Sequence, residues 1–364
     1  IVDKIIDSGD KKSSIWINGV RVDCYIFTPE NYESGIMHLT GSAEHNKQLR
    51  IIAKSKGLTL SQYGLFRQDS NIRLDNGTEQ DIYNKLGYEW IPPEHREGTI
   101  EFDTYKIHII PPSGNISNIS YGHSHTPILL KHEDIISDFH IHSNWSDGKN
   151  SIESIVVHAL SLGLKTIAIT DHSQSLKIAH GLSIDRLLEQ QQEINRCKQK
   201  FPQINILSGS EVDIKSDGTL DYPDHILNNL DIVIGSIHTA TKQNVTNIYI
   251  KAIESGKLSI IGHITGRLIN ERMPHDMDIE TILQTCKQYN VAIELNCQPN
   301  RLDADEQILK RCKHLDIKIA LGSDAHDLSQ IKYVQSYGLW TAKRAWITKH
   351  DLLDIKNIHL GNHP

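Results

Sequence analysis

The segment "SDFHIHSNWSDG", Ser137 to Gly148, places His140 and His142 two residues apart at the end of an apolar run, with Asp147 five further on. Imidazole nitrogens and a carboxylate oxygen are the donors that divalent ions such as Zn, Mn or Fe accept, and nothing in the sequence chooses among these metals. Residues two apart on a strand point the same way, so His140 and His142 suit one ion. Further candidates follow: His172 in "ITDHS", Glu211 in "SGSEVD", His238 in "GSIH", His263 in "IGH", and Asp324 and His326 in "GSDAH". These six histidines and three carboxylates are more than one tetrahedral zinc needs, and they suit two or three metals. Metals clustered about 3.5–4 Å apart are fitted to phosphate-ester hydrolysis, for which no Ser or Cys nucleophile is required. Asp171 and Asp213 are placed to orient ligating imidazoles.

All of these but Asp147 lie at the end of a short apolar run. From residue 136 the runs "IISDF", "TIAIT", "INILSG", "DIVIGS", "SIIGH", "VAIELN" and "IKIALGS" alternate with helix-length stretches such as 151–162, 183–198, 278–289 and 303–314. Continuous apolar strands alternating with helices imply a parallel βα architecture buried on both faces. An open doubly wound sheet shows the same alternation. The ligands decide for a barrel, because every strand but the sixth ends in His, Asp or Glu, and in a βα barrel the C-terminal strand ends converge on one site. The sixth run, "IELNC", offers no clear ligand.

Residues 1–97 have a different texture. "SIWINGVRVDCYIF" alternates around Asn18-Gly19 as a hairpin does. "AEHNKQLRIIAKSKG" reads as a helix closed by Gly57, and "TEQDIYNKLG" as one capped by Thr78. Residues 98–135, with "PPSGNISNIS", read as a linker. On α-helical spacing Lys47, Arg50 and Lys54 share one basic face able to follow a phosphate backbone. The net charge of −7 carries no global signature of nucleic-acid binding, so any such binding requires local surface of this kind. The five cysteines show no C-x-x-C pairing, which argues against a thiolate zinc site and a disulfide framework and for a reducing cytoplasm. No apolar run reaches the roughly 18 residues that span a bilayer. The chain opens with Ile1, as a fragment of a longer protein would.

The run "DFHIHSNWSDG…TDHS…GSEVDI…GSIH…GHITGR…GSDAH" resembles the polymerase-and-histidinol-phosphatase (PHP) family over residues 136–364, with all nine ligand positions filled. The resemblance implies a (β/α)7 barrel with a trinuclear centre of Mn2+ or Zn2+. His140, His142, Glu211 and Asp324 would serve one metal, Glu211 would bridge to a second held by His238 and His263, and Asp147, His172 and His326 would hold the third. Glu211 and Asp324 would be catalytic, and Arg267 would contact a substrate phosphate. The first section, "GVRVDCYIF…HLTGSAEHNKQLR…TEQDIYNKLGYEWIPPEHRE", resembles the palm end (1–34) and thumb (35–97) of a family X DNA polymerase. By that resemblance Asp23 is the third catalytic carboxylate at a Mg2+ site. Thr40, Gly41, Asn46, Lys47, Arg50 and Lys54 would face nucleotide and DNA. His38 and Leu39 stand where the family carries aromatics, and no D-x-D pair or Gly-Ser phosphate motif precedes Asp23.

The expectation is thus the C-terminal portion of a prokaryotic family X polymerase. It would be a cytoplasmic, nucleoid-associated monomer that hydrolyses DNA from 3′ ends in base-excision repair. Polymerisation with dNTP would require the missing N-terminal part. The alternatives are a small-molecule phosphatase of the histidinol-phosphatase type and a non-catalytic PHP scaffold, which intact ligands disfavour.

Overall fold

The computed structural model describes residues 2–110, 120–122, 128–238 and 244–355. The chain divides into two compact units, Ile1–Pro127 and Ile128–Pro364. In the first, β1 (Lys4–Ser8), β2 (Lys12–Ile17) and β3 (Val20–Tyr25) form an antiparallel sheet. Asn18 and Gly19, at φ 50° and 76°, make the expected hairpin turn. Four elements follow: α1 (Tyr32–Thr40), α2 (Ala43–Ser55), the hairpin β4 (Leu58–Ser61) with β5 (Gly64–Arg67), and α3 (Glu79–Leu86). Ser42 caps α2 by accepting from the His45 amide, and Thr78 caps α3 by accepting from that of Asp81. Leu49, Ala53, Leu65, Ile82 and Tyr83 are fully buried between these elements.

The linker expected over 98–135 is corrected at its start. Residues 101–104 form the short helix α4 (Glu101–Thr104), whose Glu101 is fully buried. Glu101 accepts from the Thr99 amide at 2.7 Å and meets Nδ1 of His45 at 2.9 Å. A buried carboxylate held this way belongs to the folded unit, and polarity alone misread it. Beyond it β6 (His108–Ile110) pairs with β7 (Ser120–Gly122), while 111–119 and 123–127 lie outside the described residues.

The second unit contains the seven anticipated strands: β8 (Ser137–Ile141), β9 (Thr166–Ile169), β10 (Asn205–Asp213), β11 (Ile232–Ser236), β12 (Ile260–Ile261), β13 (Ala292–Asn296) and β14 (Ile319–Gly322). All pair in parallel and in chain order. The sheet closes where Ile141 bridges to Ala325. There the His142 amide donates to Ala325 O at 2.9 Å, and the Asp324 amide to His140 O at 2.8 Å. Asp138 reinforces this seam, its Oδ1 accepting from the amides of Ser323 (2.9 Å) and His140 (3.2 Å). The helices are α5 (Ile152–Ser161), α6 (Ile184–Lys200), α7 (Asp224–Leu227), α8 (Val245–Glu254), α9 (Ile279–Tyr289), α10 (Glu306–Leu315), α11 (Leu328–Ile331) and α12 (Tyr337–Arg344). The fold is the expected (β/α)7 barrel, nearly closed.

Inside the barrel, Phe139, Ala168, Leu207, Ile232, Ile234, Ile260, Ala292 and Ala320 form an apolar floor, closed below by Leu353. On β13, two residues up from Ala292 in this floor stands Glu294, in a polar layer above it. On β8 the register against β9 slips between Asp138 and Ile141, a bulge. The extra residue puts Phe139 in the floor and still turns the next residue, His140, toward the axis.

Candidate metal centre

Above the floor the strand ends bring together the residues that the sequence singled out. Glu211, at the centre, is buried; its Oε1 lies 2.8 Å from Nε2 of His263 and 3.1 Å from Nε2 of His238. Its Oε2 lies 2.9 Å from Nδ1 of His172, 3.4 Å from Nε2 of His140 and 3.6 Å from Nε2 of His142. Nε2 of His140 and Nε2 of His142 face one another at 3.1 Å, with Asp324 Oδ1 3.2 Å from the latter. Asp147 and His326 form the lip. Their side chains are 30% and 33% exposed, and Oδ1 of Asp147 is 3.4 Å from Nε2 of His326.

Each position has a local cause. Gly148 in "SDG" is required because a Cβ there would fall 2.4 Å from His142 O, and the amide of Lys149 then donates to His326 O at 2.9 Å. Asp171 pins the loop behind His142, accepting from the Ser143 amide (2.8 Å) and hydroxyl (2.6 Å) and from Ser146 and Gln190. It therefore orients backbone, not an imidazole. Asp213 does orient one, its Oδ1 lying 2.5 Å from Nδ1 of His238. His326 Nδ1–H donates to Asp324 O at 2.9 Å, which turns Nε2 toward Asp147. Two of the expected ligands, His263 at φ 23° and Asp324 at φ 51°, sit in the left-handed region, strained backbone of the kind that collects at functional sites.

The donor atoms fall into three groups, each within 4.8 Å among its members. His140, His142 and Asp324 form one, His172, Glu211 and His238 another, and His142, Asp147, His172 and His326 the third. The expected partition shifts accordingly: His142 and His172 are each shared between two groups, and His263 reaches the centre through Glu211. A divalent cation fits what is here. Among the described residues, Nδ1 of His142 and of His263 are buried without a hydrogen-bond partner, Nδ1 of His172 and Oε2 of Glu211 approach one another at 2.9 Å without the alignment of a hydrogen bond, and two imidazole nitrogens point at one spot. Electrostatics agree. Despite deep burial, the surrounding imidazoles hold Glu211 and Asp324 well below the usual carboxylate range. Burial, with His172 and His326 beside it, drops His142 to about 3, so this imidazole is neutral and free to ligate.

Two residues escaped the sequence reading. Glu294, in the run that offered no clear ligand, is buried, with Oε1 2.6 Å from Nδ1 of His140 and Oε2 accepting from the His263 amide at 2.6 Å. Gly322 makes room for it, since a Cβ there would lie 2.2 Å from Oε1. The readable signal was parity, because Ala292, Glu294 and Asn296 share one face of β13. Arg301 brings Nε to 3.8 Å from Asp324 Oδ2, with Nη1 buried and without a hydrogen-bond partner among the described residues. By contrast Arg267, expected on substrate, is spent on the chain itself, with Nε donating to Arg301 O (2.8 Å), Nη2 to Leu302 O, and Nη1 3.5 Å from Asp305.

In the first unit, Asp23 is held by Lys12 at 3.1 Å and Arg21 at 3.0 Å; hydrogen bonds from Ser14 and Arg21 lower its pKa to about 2. Thr40 ends α1 exposed, and Gly41 turns the chain at φ 75°. Asn46 is buried, its amide donating to His38 O at 2.7 Å. Lys47, Arg50 and Lys54 lie exposed along α2, opposite buried Leu49 and Ala53.

Residues 35–97 match the DNA polymerase beta thumb family, and residues 138–298 match the PHP domain. The chain is 34% identical over 98% of its length to the DNA polymerase/3′-5′ exonuclease PolX of Bacillus subtilis, spanning 60% of that protein. The chain belongs to the PHP family and carries a family X polymerase thumb. It is a homologue of PolX, and its barrel is a PHP centre for divalent metal ions. A probable phosphatase of Caldicellulosiruptor saccharolyticus is 32% identical over 49% of this chain and 74% of its own. The solved histidinol phosphate phosphatase of Lactococcus lactis, with zinc, L-histidinol and phosphate, is 20% identical, at a TM-score of 0.44 over 58% of this chain and 94% of that one. No helix among the described residues is long and apolar enough to cross a membrane.

Proposed function

We propose that this PHP domain hydrolyses phosphodiester bonds of DNA, removing nucleotides from 3′ ends in base-excision repair. One observation carries the reading: the nine expected ligand residues, Glu211 at their centre, gather at the strand ends of a chain whose other unit matches a polymerase thumb. His140, His142, Asp324, Glu211, His238, His263, Asp147, His172 and His326 would hold two or three Mn2+ or Zn2+ ions. When bound, such ions polarise phosphoryl oxygens and acidify water. The chain's own contribution is orientation. Glu294, Asp213 and the Asp324 carbonyl fix three imidazoles, and the unpartnered Nη1 of Arg301 is available to a phosphate oxygen of the substrate. Nucleotide addition with dNTP and Mg2+, with Asp23 as third carboxylate and Thr40, Gly41, Asn46, Lys47, Arg50 and Lys54 near DNA, would belong to a longer parent. The chain is taken as a cytoplasmic, nucleoid-associated monomer.

The test is hydrolysis of 3′-recessed DNA with added Mn2+, alongside His142→Ala and Asp324→Ala. Both variants lose activity and bound metal on this reading, and undiminished cleavage by either would sink it. A small-molecule phosphatase is the second reading, since proteins matching the barrel are named probable phosphatases. Faster turnover of a phosphorylated amino alcohol than of single-stranded DNA would favour it.

A further inference from the structure

The segment that leaves the metal centre through His326 differs in charge from the rest of the chain. Between Asp327 and Asp351 there is no acidic residue, yet Lys332, Lys343, Arg344 and Lys349 fall there, in a chain of net charge −7. The segment comprises α11, a 3-10 turn over Lys332–Gln335, and α12. Its inner side is fixed: Val334 and Gln335 are buried, and Gln335 Nε2 donates to the carbonyls of Ile135 and Leu162, each at 3.1 Å. Gly338 lies so close to Cys297 that a Cβ would come within 2.4 Å of the sulfur. Cys297 directly follows β13, so the first turn of α12 stands level with the C-terminal strand ends, at the height of the metal centre.

That packing turns aromatics outward. Tyr337 is 43% and Trp340 54% exposed. The Tyr333 and Tyr337 rings meet edge to face at 5.2 Å, and Nζ of Lys343 sits 4.5 Å from the Trp340 ring centroid. Lys332 is exposed and has no ion-pair partner among the described residues. Arg344 and Lys349 are paired, with Glu306 and Asp134. Exposed aromatic rings stack nucleobases, and a cation without an ion-pair partner beside them, here Lys332, attracts phosphates. This face also departs from the open side of the centre, since it begins just beyond His326, one of the two solvent-reaching ligands.

We propose that the face formed by Lys332, Tyr333, Tyr337, Trp340 and Lys343 docks single-stranded DNA whose terminal phosphodiester lies at the metal centre, its unpaired bases stacking on Tyr337 and Trp340. The proposal rests on the reading of the barrel as a DNA hydrolase. Its test is binding of a labelled oligothymidylate of about twenty nucleotides to the full chain, read by fluorescence anisotropy, with stacking worth about 1–3 kcal/mol per base. The paired substitution Tyr337→Ala with Trp340→Ala weakens binding about tenfold or more. Tyr337→Phe with Trp340→Phe retains it, and Lys332→Ala lowers the salt dependence by about one phosphate contact. The alanine pair keeps wild-type turnover of bis(p-nitrophenyl) phosphate, which reports an intact centre. Unchanged oligonucleotide affinity in the alanine pair overturns the docking face. So does loss of the small diester's turnover, or a wild-type dimer in sedimentation that the pair dissociates, which would assign the face to a contact between copies. Binding that the pair weakens, in a chain that does not cleave DNA, upholds the face and removes only the hydrolase reading.

Discussion

Nδ1 of His140 and Oε1 of Glu294 stand 2.6 Å apart in the barrel interior, and this contact decides which nitrogen of His140 faces the other ligands. Despite its burial, the carboxylates of Glu294, Glu211 and Asp324 hold the His140 imidazole well above its ordinary pKa. With Nδ1 committed to Glu294, Nε2 is the atom left to meet His142 and Asp324. Glu294 also accepts from the His263 amide, so one carboxylate sets two ligands.

Glu294→Gln is therefore expected to leave the fold intact and to weaken metal binding about 10–100-fold. Metal titration of the chelated protein reads this directly. Unaltered affinity would show that Glu294 is structural.

Arg301→Ala tests the phosphate anchor. Removing a charge-assisted contact of about 1.5–3 kcal/mol lowers kcat/KM for a phosphodiester roughly 10–100-fold, carried by KM, while bound metal stays constant. Arg267→Ala acts through the same loop, since Arg267 holds the carbonyls of Arg301 and Leu302, so its effect is smaller and in the same direction. A larger effect from Arg267→Ala than from Arg301→Ala would reverse the assignment.

Removing metal should be visible as stability. An ion at about a hundred times its Kd contributes about 2.7 kcal/mol, and a domain of this size shifts by about 2–4 °C per kcal/mol. Excess EDTA is thus expected to lower the Tm of the barrel by about 5–10 °C in calorimetry. An unmoved transition would contradict a metal centre at these residues.

The cluster was legible because a parallel barrel converts chain order into geometry, so His, Asp or Glu after an apolar run arrives at one face. Glu294 and Arg301 were not. Glu294 lies within a strand, where only parity tells inside from outside, and the bulge at His140 shows that parity can slip. Arg301 sits on a loop whose course depends on Asp303 accepting from Thr265 at 2.9–3.2 Å, a contact between distant segments. The three donor groups share His142 and His172 because ring position, which spacing does not encode, decides the partition. In the thumb, polar residues past 98 suggested a linker, whereas Glu101 is buried by its bond to His45, a residue 56 positions earlier.

That His45–Glu101 pair makes the thumb acid-sensitive. Burial lowers the His45 pKa from 6.5, with Glu101 opposing the shift. Burial opposes the shift of Glu101, yet hydrogen bonds from His45, Gly98 and Thr99 bring it below 4.5. Both groups bind protons more weakly folded than unfolded. Each therefore stabilises the thumb above its unfolded pKa, and that stability is lost as pH falls, from about 6.5 for His45 and below about 4.5 for Glu101. Protection of α2 amides in hydrogen exchange, corrected for intrinsic rates, is expected to decline on acidification through this range. His45→Phe removes the part of the decline that begins near pH 6.5. It also strands Glu101 and the Tyr83 hydroxyl, 2.8 Å from Nε2 of His45, at a cost of about 1–3 kcal/mol for each group at neutral pH. Protection independent of pH in the wild type would refute the pair's role.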